Sequence, residues 1–193
     1  MTAVGCSPPT APTPPPTPLT LSLAGESWTS LSAPEPLPLA NDEGRNLTFE
    51  FPNSGSVHYL FTPSTLAILR GTLVMSIRVT ATGAATFISL DPLTATCVIP
   101  VSVRPLLWAN ENGEAAYDRW WSNPRAISLA AGSAAIEVPL LPEFWSSVNG
   151  KFGNGDSAAR AGFVKAFSNV SRLGLTFGGG CSFGHGVRIQ GGT

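Results

Sequence analysis

Short runs in which apolar and polar residues alternate with a period of two recur along this chain from residue 19 onward, each closed by glycine, proline or asparagine. Successive side chains of a strand point to opposite faces, so such a run buries one face and wets the other. Leu19-Thr20-Leu21-Ser22-Leu23 is the first, and Asn46-Leu47-Thr48-Phe49-Glu50-Phe51 repeats the pattern before Pro52-Asn53-Ser54-Gly55. Residues 56–61 read as a strand ended by Thr62-Pro63. Residues 71–80 form the longest alternation, broken at Thr82-Gly83, and residues 85–90 follow closely enough to be its hairpin partner. Residues 97–108 are strand-like but hold Pro100 and Pro105, which predicts an edge position or a bulge. Residues 126–129 and 134–140 frame an Ala-Gly-Ser turn, and residues 183–189 close the chain as a strand holding His185. The 20 glycines and 18 prolines supply the turns that many short strands need.

One segment breaks this pattern. Asp156-Ser157-Ala158-Ala159-Arg160 opens like a helix, with Asp156 or Ser157 as N-cap. Ala159, Phe163, Phe167 and Val170 then fall on one helical face, and Leu173, Leu175 and Phe177 alternate directly afterwards. The expectation is an all-β sandwich with one short helical insertion at about 156–170.

Composition limits what the chain can do. With 193 residues it fits one domain, residues 19–193, plus a tail, and can bury a sizeable core without staples. Hydrophobic residues reach 43% while charged residues stop at 12%, so disorder is not expected outside the tail. A net charge of −1 and the lack of any basic block remove the field that attracts nucleic acid or an anionic membrane surface. No run of about 18 apolar residues exists to span a bilayer.

Residues 1–18 hold seven prolines among Thr and Ala and no charged residue. Such a stretch favours extended polyproline II and reads as a tether. Ala3-Val4-Gly5-Cys6 resembles the tail of a bacterial lipobox, in which small residues precede a cysteine that becomes lipidated. The resemblance implies an envelope protein, periplasmic or at the surface, that meets the membrane only through a lipid on Cys6, or else a secreted one. The charged and apolar segments of a signal peptide do not precede Cys6, so either the natural start lies upstream or the chain has been shortened there. An oxidising compartment would permit a disulfide between Cys97 and Cys181; the alternative is two buried thiols in strands.

Trp145 followed by Phe163-Val-Lys-Ala-Phe-Ser-Asn-Val-Ser-Arg-Leu-Gly-Leu-Thr-Phe177 resembles a phrase of galactose-binding-like jelly rolls. There a Trp precedes a loop, a short helix docks through Phe, and an apolar strand follows. The opening from Phe49 to Arg78 is similar as well: an extended aromatic segment, a proline turn, then a long strand beginning Gly-x-Leu. The resemblance implies a jelly-roll β-sandwich and, for many such domains, carbohydrate binding; others bind lipid headgroups or proteins. Asp118-Arg-Trp-Trp-Ser122, Thr176-Phe-Gly-Gly-Gly180 and Phe183-Gly-His-Gly-Val187 also resemble recurring features of secreted bacterial domains, a kinship that names no activity.

The densest candidate constellation is Trp108, Asn110, Glu111, Asn112 and Glu114, then Tyr117, Asp118, Arg119, Trp120 and Trp121. Sugars offer apolar C–H faces ringed by hydroxyls, so a binder sets flat aromatic platforms beside amides, carboxylates or guanidinium groups. In an extended strand Trp120 and Trp121 point to opposite faces, so at most one is expected to be exposed. The competing reading has the same aromatics staple a long loop to the sandwich. His185, between Gly184 and Gly186, is a further candidate beside this loop, against a plain strand-to-strand turn. Glu111, Glu114 and Asp118 supply oxygens of the kind Ca²⁺ gathers, so a structural Ca²⁺ is one reading of the loop; no other cofactor is implied. With His58 and His185 the only histidines, no multi-histidine zinc site is expected. The leading expectation is a non-catalytic module that binds a glycan or polysaccharide. The alternatives are a structural or protein-interaction domain of the envelope, and a polysaccharide hydrolase using Glu111, Glu114 or Asp118 as acid and base.

Overall fold

The computed structural model describes residues 28–33, 37, 39–42, 46–52, 54–67, 70–90, 100–109, 115–179 and 182–192. In chain order the strands are β1 (Thr29–Ala33), β2 (Ala40–Asp42), β3 (Asn46–Thr48), β4 (Ser56–Leu66), β5 (Thr72–Val79), β6 (Thr86–Ser89) and β7 (Ser102–Trp108). They continue with β8 (Arg119–Ser122), β9 (Ile127–Ser128), β10 (Gly132–Pro139), β11 (Trp145–Ser147), then helix α1 (Ser157–Phe167), β12 (Val170–Gly179), β13 (Ser182–Phe183) and β14 (Val187–Gln190). The fold is all-β with one short helix, a sandwich whose strands pair antiparallel, compatible with a jelly roll. The expected tether at 1–18, the expected strand at 19–23 and all three cysteines, Cys6, Cys97 and Cys181, lie outside the described residues.

The main sheet runs β11-β8-β7-β12-β4-β14-β6, with β1 on β4, β9 on β7 and β13 on β12. The second layer is the β5–β10 pair. Burial along β5 alternates, and its inward residues Leu73, Met75 and Ile77 join two apolar clusters on the facing side of the main sheet, here called its inner face. One cluster packs Trp120, Trp145 and Val138 against Ala159, Phe163, Ala166 and Phe167 of α1. The other joins Val57, Leu60, Val103, Phe177 and Val187. Asp156 caps α1, its carboxylate accepting from the Ala159 amide at 2.8 Å, and this contact holds its pKa below the usual range.

Several sequence expectations change here. Residues 85–90 do not pair with β5: β6 joins β14, and β5 takes β10 as partner. Alternation identifies a strand but carries no record of its neighbour. β7 is no edge; it lies between β12 and β8 with all seven residues buried. Pro105 is accommodated because β8 pairs with residues 106–108 and β9 with 102–103, leaving 104–105 between the two ladders. β4 does not stop at Pro63 but continues to Leu66, since β1 has ended by then and Pro63 faces only β12 as partner. The strand expected at 46–51 is confined to β3, and the closing strand at 183–189 is split into β13 and β14 by a bend that holds His185.

Candidate functional site

The feature that shapes the site is an irregularity in β4. Leu31 of β1 pairs with Tyr59 and the next residue, Ser32, with Val57, so His58 is an extra residue on β4. Such a bulge inverts the inside–outside alternation. Val57 and Leu60 therefore both enter the inner core, and Tyr59 and Phe61 turn to the outer face. The bulged His58 is held in turn. Its Nδ1 donates to the Gly184 carbonyl at 3.0 Å, and its Nε2 shares a hydrogen bond with the Ser56 hydroxyl at 2.8 Å.

Register places three rows across the outer face. Arg119, Trp108 and Arg172 are cross-strand neighbours on β8, β7 and β12. Trp121, Leu106, Gly174 and Phe61 form the next row, and Arg104, Thr176, Tyr59 and Leu31 the third. Tyr59, Leu106, Trp108 and Trp121 make a third apolar cluster there, with Phe61 and Val148 packed on it. β7 is thus covered on both sides, which explains the near-continuous apolar text of Val103-Arg-Pro-Leu-Leu-Trp108.

Trp108 is the centre of this face. Its ring meets Phe61 edge-on at 5.6 Å and Tyr59 at 5.9 Å. Arg119 and Arg172 each set a guanidinium carbon 5.2 Å from the indole, and Arg172 also lies 4.8 Å from the Phe61 ring. Among the described residues, the indole Nε1 of Trp108 and the Nε of Arg119 are buried and meet no hydrogen-bond acceptor. Each such donor left unpaired costs about 1–3 kcal/mol. Burial pushes the Tyr59 phenol above its ordinary pKa, against the opposing pull of the Arg119 charge and the Thr176 hydroxyl. Burial likewise lowers Arg104 to about 10, which leaves it charged at neutral pH, and its Nη1 donates to the Ser122 carbonyl at 3.2 Å.

The candidate residues of the sequence divide between two faces. Trp108, Arg119 and Trp121 share the outer face, with the two indoles only 6% and 7% exposed. Trp120 is on the inner face under α1 at 0% exposure, stacked on Tyr117 at 5.9 Å and donating from Nε1 to the Tyr117 carbonyl at 2.8 Å. Neither Trp120 nor Trp121 is exposed. Asp118 is half-buried in the turn ahead of β8, where its carbonyl accepts from the Ala109 amide at 2.8 Å. Asn110, Glu111, Asn112 and Glu114 lie outside the described residues, so the Ca²⁺ reading rests on positions of which only Asp118 is described; among the described residues no His, Cys, Asp and Glu gather as a metal set. His185 is exposed in the bend between β13 and β14. Its neighbour Gly184 presses on the Tyr59 hydroxyl, so the bend borders the outer face rather than the 110–114 loop.

Tyr59, Phe61, Arg104 and Arg172 are the site residues that sequence reasoning missed. A signal was present for one of them: Arg104 is a cation inside an apolar run, where charge is costly without a purpose. A shallow open depression on the other layer, lined by Ser76, Arg78 and Ser133 among others, holds no aromatic residue. No protein-family model matches the chain, and neither a curated protein nor a solved structure matches it.

Proposed function

We propose that this chain is a non-catalytic carbohydrate-binding domain whose sugar is taken on the outer face of the main sheet. One observation carries the reading: an indole flanked on the outer face by two half-buried guanidinium groups and two further rings. A sugar offers hydroxyl acceptors to the guanidinium groups of the half-buried Arg119 and Arg172 and a C–H face to the half-buried Phe61 ring. The half-buried Phe61, Arg119 and Arg172, with exposed Leu31 at the rim, are the side chains that an arriving ligand meets first. The galactose-binding-like resemblance agrees with this reading.

The experiment is a broad glycan panel probed with the wild-type chain, Phe61→Ala and Arg172→Ala, with and without EDTA. Saturable binding to some glycan is expected, weakened at least about tenfold in either variant while melting shifts little, since a lost charged hydrogen bond at Arg172 or a lost ring contact at Phe61 is worth about that factor. Sensitivity to EDTA would add a bound Ca²⁺ to the account. No binding to any glycan by the folded wild type overturns it.

The burial of Trp108, Trp120 and Trp121 favours a second reading, a structural or protein-interaction domain of the cell envelope in which these rings are core. A blank panel together with large stability losses on replacing the rings selects it. For either reading we propose attachment to the bacterial envelope through a lipid on Cys6, carried by the lipobox-like Ala3-Val4-Gly5-Cys6 and the proline-rich stretch after it. Expression behind a lipoprotein signal with labelled fatty acid should mark the wild type and not Cys6→Ser; equal labelling, or none in the wild type, removes the anchor.

A further inference from the structure

We infer that the ligand of the outer face is an acidic glycan, one whose sugar units carry carboxylate, sulfate or phosphate groups gripped by Arg119 and Arg172; this rests on the carbohydrate reading above. The chain as a whole has a net charge of −1 and nothing in its composition invites a polyanion. The outer face is nevertheless cationic. Arg119 and Arg172 flank Trp108 in one register row, and among the described residues no register position of this face holds Asp or Glu. Among the described residues, the ion pair between Lys151 and Asp156 at 3.6 Å lies ahead of α1, and neither Arg119 nor Arg172 has a carboxylate partner.

Gathering cations where no anion faces them is unfavourable, and the cost grows as water is excluded. Protein rings compensate part of it, because a guanidinium over an aromatic face meets the negative side of the ring quadrupole. That contact does not consume the hydrogen-bonding capacity of the guanidinium. The N–H donors remain for an acceptor, and a planar fork of such donors matches carboxylate, sulfate and phosphate oxygens two at a time. Neutral sugar hydroxyls can accept from the same donors, but they return no charge to the two arginines. An anionic group does both. The resulting geometry sets Arg172 beside the rings of both Trp108 and Phe61 and Arg119 beside Trp108, with the half-buried Phe61 ring next to the two cations.

The test compares probes that differ only in charge. Binding of the full chain is measured to polygalacturonate and its methyl ester, and to dextran sulfate and dextran, at low and high salt. The variants are Arg172→Gln, Arg172→Lys and Arg119→Gln, with Arg78→Gln on the opposite layer as control. The expected result is that at least one acidic polymer binds about tenfold or more tightly than its neutral partner, weakening as salt rises. Arg172→Gln and Arg119→Gln should each lose about tenfold, and Arg172→Lys most of that, because an ammonium keeps the charge but not the fork. Should the Arg172 variants fail to fold, Arg119→Gln alone decides. The carboxylated and sulfated arms separate the two sources of anion. Equal binding of acidic and neutral partners, or an acidic preference that Arg78→Gln reduces as much, overturns the inference while leaving a carbohydrate-binding domain. No binding to any of the four polymers, or to the wider panel, overturns the carbohydrate reading itself.

Discussion

Replacing Trp120 by alanine is expected to cost the domain about 3–5 kcal/mol, about a fifth or more of the stability usual for a single domain. The indole is wholly buried, edge-on to Phe163 at 5.4 Å and stacked on Tyr117 at 5.9 Å, and its Nε1 satisfies the Tyr117 carbonyl. Alanine removes the apolar burial, the ring contacts and that hydrogen bond together. The space cannot collapse cheaply. β8 is fixed on one side by β7 and on the other by β11, and the helix above is seated by Phe167 on Trp145 as well. Chemical denaturation should show the midpoint falling with little change in slope. A loss below about 1 kcal/mol would mean the helix does not sit on this ring as described. Since Trp120 is on the inner face, any glycan affinity of the folded variant should stay close to that of wild type; Arg172→Gln should show the reverse pattern.

The elements of the sandwich were legible because they follow from local pattern. β5 reads from its alternation, and α1 reads from Asp156 at its start and Ala159, Phe163 and Phe167 on one side. What eluded the sequence was which strands meet. The partners of β5 and β6 depend on contacts far along the chain, and Pro105 suggested an edge because the break between β8 and β9 that accommodates it is not written locally. The candidate site suffered from a related limit. Trp108, Arg119 and Trp121 were singled out by proximity in sequence, together with Tyr117 and Trp120, although the pleat of β8 sends the two groups to opposite faces. The other half of the face comes from β4 and β12. Strict alternation in β4 would put Tyr59 with Val57, and only the bulge at His58 moves it to the side of Trp108. One extra residue in a strand thus decides which rings and cations share a surface.

Gly174→Ala is the second substitution with a large expected effect, and it tests how closely β4 and β12 approach beneath that surface. Gly174 is paired on one side with Leu106 and on the other with Phe61. A methyl group there would overlap the Leu60 carbonyl oxygen and stand 2.8 Å from Cβ and 2.9 Å from Cα of Phe61. These are backbone atoms or atoms next to the backbone, so no rotamer change relieves the overlap. β12 is also gripped along its length by both β4 and β7, which leaves little freedom to slide. Overpacking of this kind costs about 1–3 kcal/mol or more, and Gly174 belongs at the upper end of that range. If the strands part to admit the methyl, Phe61 moves away from Arg172, so glycan affinity should fall together with stability. A variant as stable as wild type, within about 0.5 kcal/mol, would show that the two strands stand farther apart. A destabilised variant that still binds as wild type would show instead that the Phe61–Arg172 contact is dispensable, and would put the weight of recognition on Arg119 and Trp108.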